Sequence, residues 1–143
     1  MKKLWVLLLS ACIGLGTLVA QDINTLKQQA QKGDVDAQYN LAVRYIAGEG
    51  VSQDYAEAAK WYRRAADQGD AMAQSNLGWM YYNGEGVPQD YVQAYMWLSL
   101  DKPYSAWQEI QKNERINQTA KKMTPQQIAQ AKKLARNWKP KKQ

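Results

Sequence analysis

Small and apolar residues return along this chain with a helical period, and the whole pattern is then repeated. Ala37, Leu41, Tyr45 and Gly48 follow i, i+4, i+8 and i+11, a narrow stripe on a helix expected from about Asp34 to Ala47. Asp34 is the expected N-cap, because its carboxylate can accept from the free amides of the first turn. Gly48 and Gly50 supply the left-handed conformations that end a helix and reverse the chain. Asp54 then starts a second helix, and Glu57 three residues on completes a capping-box pattern, repeated by Asp90 and Gln93. In that helix Ala58, Trp61, Ala65 and Gln68 share one side, with Tyr62 and Ala66 beside them. Small alanines let two helices approach while the aromatic fills the remaining gap. No segment shows the alternation of a strand.

Residues 33–64 match residues 69–100 at 16 of 32 positions without a gap, a period of 36. Each unit reads as two helices around a glycine turn, giving repeat 1 over 33–68 and repeat 2 over 69–104. Repeat 2 departs from the pattern at its end, where Pro103 cannot continue a helix, so this one should stop near Leu100. Ser105 with Gln108, and Thr124-Pro125 with Gln127, are two fresh helix starts. They predict helices over 105–122 and 125–138, a terminal pair closing the stack. On the other side Leu26, Ala30 and Gly33 echo Tyr62, Ala66 and Gly69, so residues 21–32 are expected to be an N-terminal capping helix. Two repeats bury too little by themselves, and both flanks are needed. The expected fold is all-α, a short α-solenoid of helix-turn-helix repeats with capping helices at both ends.

Composition narrows the chemistry. The 143 residues include no histidine and a single cysteine, Cys12, which leaves no His-assisted nucleophile, His/Cys zinc site or disulfide framework. The net charge of +6 hides an uneven distribution: residues 33–100 carry nine acids and four bases, whereas residues 121–143 carry eight bases and no acid. Lys2 and Lys3 precede the uncharged stretch Leu4 to Ala20, which reads as a signal peptide over 1–20 cleaved near Ala20. A periplasmic or secreted mature chain follows. The alternative is a lipoprotein acylated at Cys12, within Leu9-Ser10-Ala11-Cys12.

The motif Leu41-Ala42-x-x-Tyr45-x-x-Gly48-x-Gly50-Val51-x-x-Asp54-x-x-x-Ala58-x-x-Trp61-Tyr62-x-x-Ala65-Ala66 resembles a Sel-one-like repeat (SLR), a relative of the tetratricopeptide repeat, and Leu77-Gly78 to Trp97 resembles a second copy. The resemblance implies an α-solenoid scaffold that binds proteins or peptides, often exported in bacteria. It also brings two other roles: a periplasmic immunity or inhibitor protein that neutralises a toxin, and β-lactam binding or hydrolysis by cysteine-rich members. This chain has none of the cysteine pairs of the latter.

Comparing the two units picks out a functional face. Asp36, Tyr39, Val43, Ile46 and Ala47 lie opposite the packing stripe, and their counterparts Met72, Ser75, Trp79, Tyr82 and Asn83 match them nowhere. In tetratricopeptide-like stacks this face lines the concave surface, where aromatics serve as anchors. Asp36, Tyr39, Val43, Met72, Ser75, Trp79 and Tyr82 are the expected partner-binding residues; the alternative is that they meet the chain's own ends. In 125–138, Ile128, Ala131, Leu134, Ala135 and Trp138 form an apolar side, and Lys132, Lys133, Arg136 and Lys139 a basic one. That basic face is either solvated or a weak contact for an anionic membrane. Nucleic acid is not an expected partner of an exported chain. Residues 139–143 are expected to fray. The duplicated acids Glu49/Glu85 and Asp54/Asp90 are too far apart for acid–base work. The chain is expected to be non-enzymatic, with no catalytic residues, metal or cofactor.

Overall fold

The computed structural model describes residues 22–100, 102–103 and 105–142; the expected signal peptide and Cys12 lie outside them. Among the described residues every regular element is a helix: α1 (22–31), α2 (Val35–Ala47), α3 (Tyr55–Asp67), α4 (Ala71–Asn83), α5 (Tyr91–Leu100), α6 (Ala106–Ala120) and α7 (Pro125–Asn137). The chain is an all-α repeat solenoid.

Local chemistry accounts for the boundaries. Asp34 and Asp70 accept hydrogen bonds from the amides of Ala37 and Ala73 at 2.8 and 2.7 Å. Asp54 and Asp90 do the same for Glu57 and Gln93, both at 3.0 Å. Their own amides are taken by the carbonyls of Tyr45 and Tyr81, and the Glu57 carboxylate turns to Lys60. The capping box expected at Asp54 is therefore only half formed, because the repeat turn already satisfies the other half. Thr124 and Gln127 form a complete reciprocal box at the start of α7. Gly48 and Gly84 end α2 and α4 at φ +69° and +72°, a region costly to any residue with a β-carbon.

Helices α2 and α3, then α4 and α5, form two hairpins stacked through α3 and α4. Ala58, Ala65, Ala66, Ala73 and Ala94 are wholly buried, which is what lets the backbones approach, and Trp97 fills the space between them at 1% exposure. Leu41, Leu77 and Leu98 are equally buried and contribute about 1.5–3 kcal/mol each. A smaller cluster of Ile23, Ala30, Ala37 and Leu41 seats α1 on the first hairpin.

Two polar positions in this interior are structural. The amide of Gln38 donates to the Ala30 carbonyl at 3.0 Å, and that of Gln74 to the Ala66 carbonyl at 3.2 Å, both from fully buried side chains. Each ties its helix to the end of the preceding one.

The C-terminal region differs from expectation in two respects. Helices α6 and α7, expected as a pair, each pack on α5 with little contact between them. The reason lies in α6, whose only fully buried residue is Thr119 while Trp107 and Ile110 are exposed. The tail, expected to fray, returns to the repeats instead. The Lys141 amide donates to the Asp67 carbonyl at 2.7 Å, and its Nζ pairs with the Asp67 carboxylate at 2.9 Å. The free carbonyl and acidic side chain at the end of α3 give the basic tail a defined seat.

Candidate partner-binding face

The residues expected on the concave face separate into an open and a supported set. Asp36, Val43 and Met72 are exposed, Met72 at 59%. Tyr39, Ser75, Trp79 and Tyr82 are half-buried. Tyr39 rests on Tyr62, ring centroids 5.6 Å apart, and Tyr62 in turn shares a side-chain hydrogen bond with Asn76. Burial, reinforced by the neighbouring Tyr39 phenol, pushes the Tyr62 hydroxyl up to about 12, against the Asn76 bond, which acts the other way. Tyr39 and Ile46 thus pack against the core while Val43 between them stays outside.

The second repeat carries the more organised half. Trp79 and Tyr82 stack in parallel at 4.8 Å, and Tyr91 meets Tyr82 edge-on at 5.5 Å. The three rings form a row running from the middle of α4 to the start of α5. Helix α6 reaches one end of this row. The Arg115 guanidinium lies 5.6 Å over the Trp79 ring, and its Nη1 donates to Ser75 Oγ at 3.0 Å. Trp79 is flanked rather than sealed, so the expected alternative, coverage by the chain's own end, holds for one side of the ring only.

Because α6 stands off from α4, a cleft of about 190 Å³ opens between Met72, Ser75 and Asn76 on one wall and Gln111, Lys112 and Arg115 on the other. Of these, Gln111, Lys112 and Arg115 were not anticipated from sequence, since only the placement of α6 beside α4 brings them to the face, and Asn76 was passed over because it matches Asn40 in the first repeat.

Lys132, Lys133 and Arg136 are exposed on α7, and Lys139 is exposed just beyond its end. Of the apolar side, Ala131 is buried and Trp138 packs edge-on against Trp97 at 6.3 Å, but Leu134 is 40% exposed and escapes the core. Asp54 and Asp90 serve as caps, and Glu49 pairs with Arg44 at 3.1 Å. Among the described residues no cluster of three acids or thiols is placed to hold a metal ion.

Comparison with known proteins agrees with the period and the hairpins. The Sel1 repeat family matches residues 35–70 and 71–100. The chain carries two Sel1 repeats. Its Sel1 hairpins are similar to those of solved SLR proteins. One is a protective antigen of uropathogenic Escherichia coli displaying an SLR fold, with a TM-score of 0.74 and 34% identity over 87% of this chain and 28% of that one. Another is a Sel1 repeat protein of Oxalobacter formigenes, with a TM-score of 0.56 and 33% identity over 57% of this chain and 34% of that one. Among curated proteins, the secretory immunoglobulin A-binding protein EsiB of Escherichia coli is 39% identical over 57 residues, which is 40% of this chain and 12% of EsiB. The chain therefore spans only a minor part of the length of each of these relatives. Sel1 repeats mediate protein–protein interaction. No helix among the described residues is long and apolar enough to cross a membrane.

Proposed function

We propose that this Sel1-repeat protein is a non-enzymatic adaptor of the bacterial cell envelope that binds a protein or peptide on its concave face, through Val43, Met72, Trp79 and Tyr82. The observation that carries this reading is the Trp79–Tyr82 stack, two parallel aromatic rings left half-exposed on a face where the repeats differ. Stacked rings present a large apolar area with little freedom left to lose, the property of residues that dominate binding energy. A relative named for binding secretory immunoglobulin A supports a protein as the class of partner. Export by a cleaved signal peptide is part of the same proposal.

A photo-crosslinking amino acid placed at Val43 or Met72 and activated in cells tests it. One discrete adduct from both positions, absent when the crosslinker replaces Leu134 on α7, is the expected result. Adducts from Leu134 alone would move the docking surface to α7. There the exposed Lys132, Lys133, Arg136 and Lys139 beside Leu134 favour a second contact, with an anionic membrane. Salt-sensitive co-sedimentation with anionic vesicles measures that contact, and its absence removes it.

A further inference from the structure

The cleft between α4 and α6 has a chemical sign. Lys102, Lys112 and Arg115 line it, and no acidic side chain among the described residues does so. Among the described residues the partners of Arg115 are neutral, the Ser75 hydroxyl and the Trp79 ring. Lys112 Nζ donates to the Ser99 carbonyl at 3.2 Å, and Lys102 is exposed at the rim. Three positive charges thus gather at the mouth of one cleft, although the repeats around it are net acidic.

The geometry favours a carboxylate. A guanidinium offers five donors in a rigid fork, and here the Ser75 bond uses one of them while the Trp79 ring lies 5.6 Å from its central carbon. The remaining donors are ordered before any ligand arrives, so less side-chain freedom is lost on binding. Half-burial of Arg115 keeps water from fully screening the charge. The volume, about 190 Å³, falls below the roughly 300–1,000 Å³ of sites that enclose a drug-sized or cofactor-sized ligand. It suits one side chain of an extended segment lying across the face. Met72, flexible and exposed beside the cations, is an adaptable contact for an apolar neighbour of that side chain.

We infer that the cleft is the specificity pocket of the concave face and takes a glutamate or aspartate of an acidic partner peptide, held by Arg115 and Lys102, with an adjoining apolar residue on Met72 and Trp79. This inference rests on the docking reading above and adds the partner's chemistry to it.

The test uses the full mature chain and two fluorescein-labelled octapeptides, one with adjacent glutamates between leucines, the other with glutamines in their place. Fluorescence anisotropy should show the glutamate peptide bound at least about tenfold more tightly, the worth of one charge-assisted hydrogen bond. Arg115→Gln should lose about that factor. Lys102→Gln, at an exposed position that leaves Trp79 untouched, should lose about threefold, and raised salt should weaken the wild type more than either variant. Equal binding of the two peptides, binding of neither, or an Arg115→Gln variant that binds like wild type would overturn the inference. A dimer in sedimentation that Arg115→Gln abolishes would overturn it as well, by giving the cleft to the acidic repeats of a second copy. Trp79→Ala separates the two readings. If it abolishes binding of both peptides while Arg115→Gln binds like wild type, the aromatic face stands and the acidic pocket falls. If it leaves glutamate binding intact while Arg115→Gln loses it, the aromatic face falls.

Discussion

Gly86 sits against the backbone of Tyr55 so closely that an ideal β-carbon on it would lie 2.1 Å from the Tyr55 carbonyl oxygen. The turn of repeat 2 thereby seats directly on the first residue of α3 in repeat 1. Gly86 also holds φ +68°, so Gly86→Ala combines a conformational cost with a clash against backbone that cannot give way. A loss of about 3 kcal/mol or more is expected, near 10 °C in melting temperature for a chain of this length. Gly84→Ala, at φ +72° with its nearest neighbour the Gln89 Cβ at 3.2 Å, should cost only about 1–2 kcal/mol. Thermal melts of the two variants check the difference, and equal losses would mean that the inter-repeat seat is not rigid.

The buried glutamines predict a measurable coupling. Gln68 Nε2 donates to the Oε1 of Gln38 at 2.9 Å and to the Gly33 carbonyl at 3.1 Å. Replacing Gln38 by alanine should cost about 2–3 kcal/mol, combining a lost hydrogen bond with a cavity. A double-mutant cycle with Gln68→Ala, read by urea denaturation, should return a coupling of about 0.5–1.5 kcal/mol. A coupling of zero would show that the two amides act independently.

The returning tail predicts graded effects of truncation. Removing residues 139–143 deletes the Lys141–Asp67 contacts and should lower stability by about 1 kcal/mol. Trp138→Ala removes the ring packed on Trp97 and should cost about 2–3 kcal/mol. Deleting residues 105–143 strips both α6 and α7 from α5, and size-exclusion chromatography should then find an aggregated or unfolded chain. A soluble truncation with a cooperative melt would show that the two repeats suffice alone.

Tyr62 predicts a loss of stability in alkali. Its hydroxyl titrates at about 12 in the fold against about 10 in an unfolded chain. The fold holds this proton more tightly, so the contribution is fully present below pH 10 and is lost as pH rises from 10 to 12. About 2–3 kcal/mol should disappear across that window. Urea denaturation at pH 9 and pH 11.5 measures it, and Tyr62→Phe should reduce the difference between the two by about that amount. An unchanged pH difference in the variant would contradict the account.

Much of this fold was legible in the sequence because its determinants are local. Asp34, Asp54, Thr124 and Ser105 act on amides three residues away, and Pro103 bears on the end of α5 at Leu100, all within the range of a motif. The repeat identities carried further information that charge and hydropathy did not. Gln38 and Gln74 match across units because each bonds the carbonyl eight residues earlier, and matched polar residues in the middle of a packing helix are the signal that would have revealed it. The aromatic face was found from the mismatches between repeats, yet Arg115 was not. It meets Ser75 across 40 residues of chain, through a helix whose own pattern does not say which way it crosses. The tail was missed for the same reason, since Lys141 and Asp67 are 74 residues apart.

The central claim is that the Trp79–Tyr82 stack is held for a partner and not for the fold. It is tested most directly by measuring the affinity of the crosslinked partner for Trp79→Ala beside the wild type. The account predicts a loss of about tenfold or more from a variant whose melting temperature falls by only a few degrees. Unchanged affinity, or a collapse of the fold like that expected of Trp97→Ala, would contradict it.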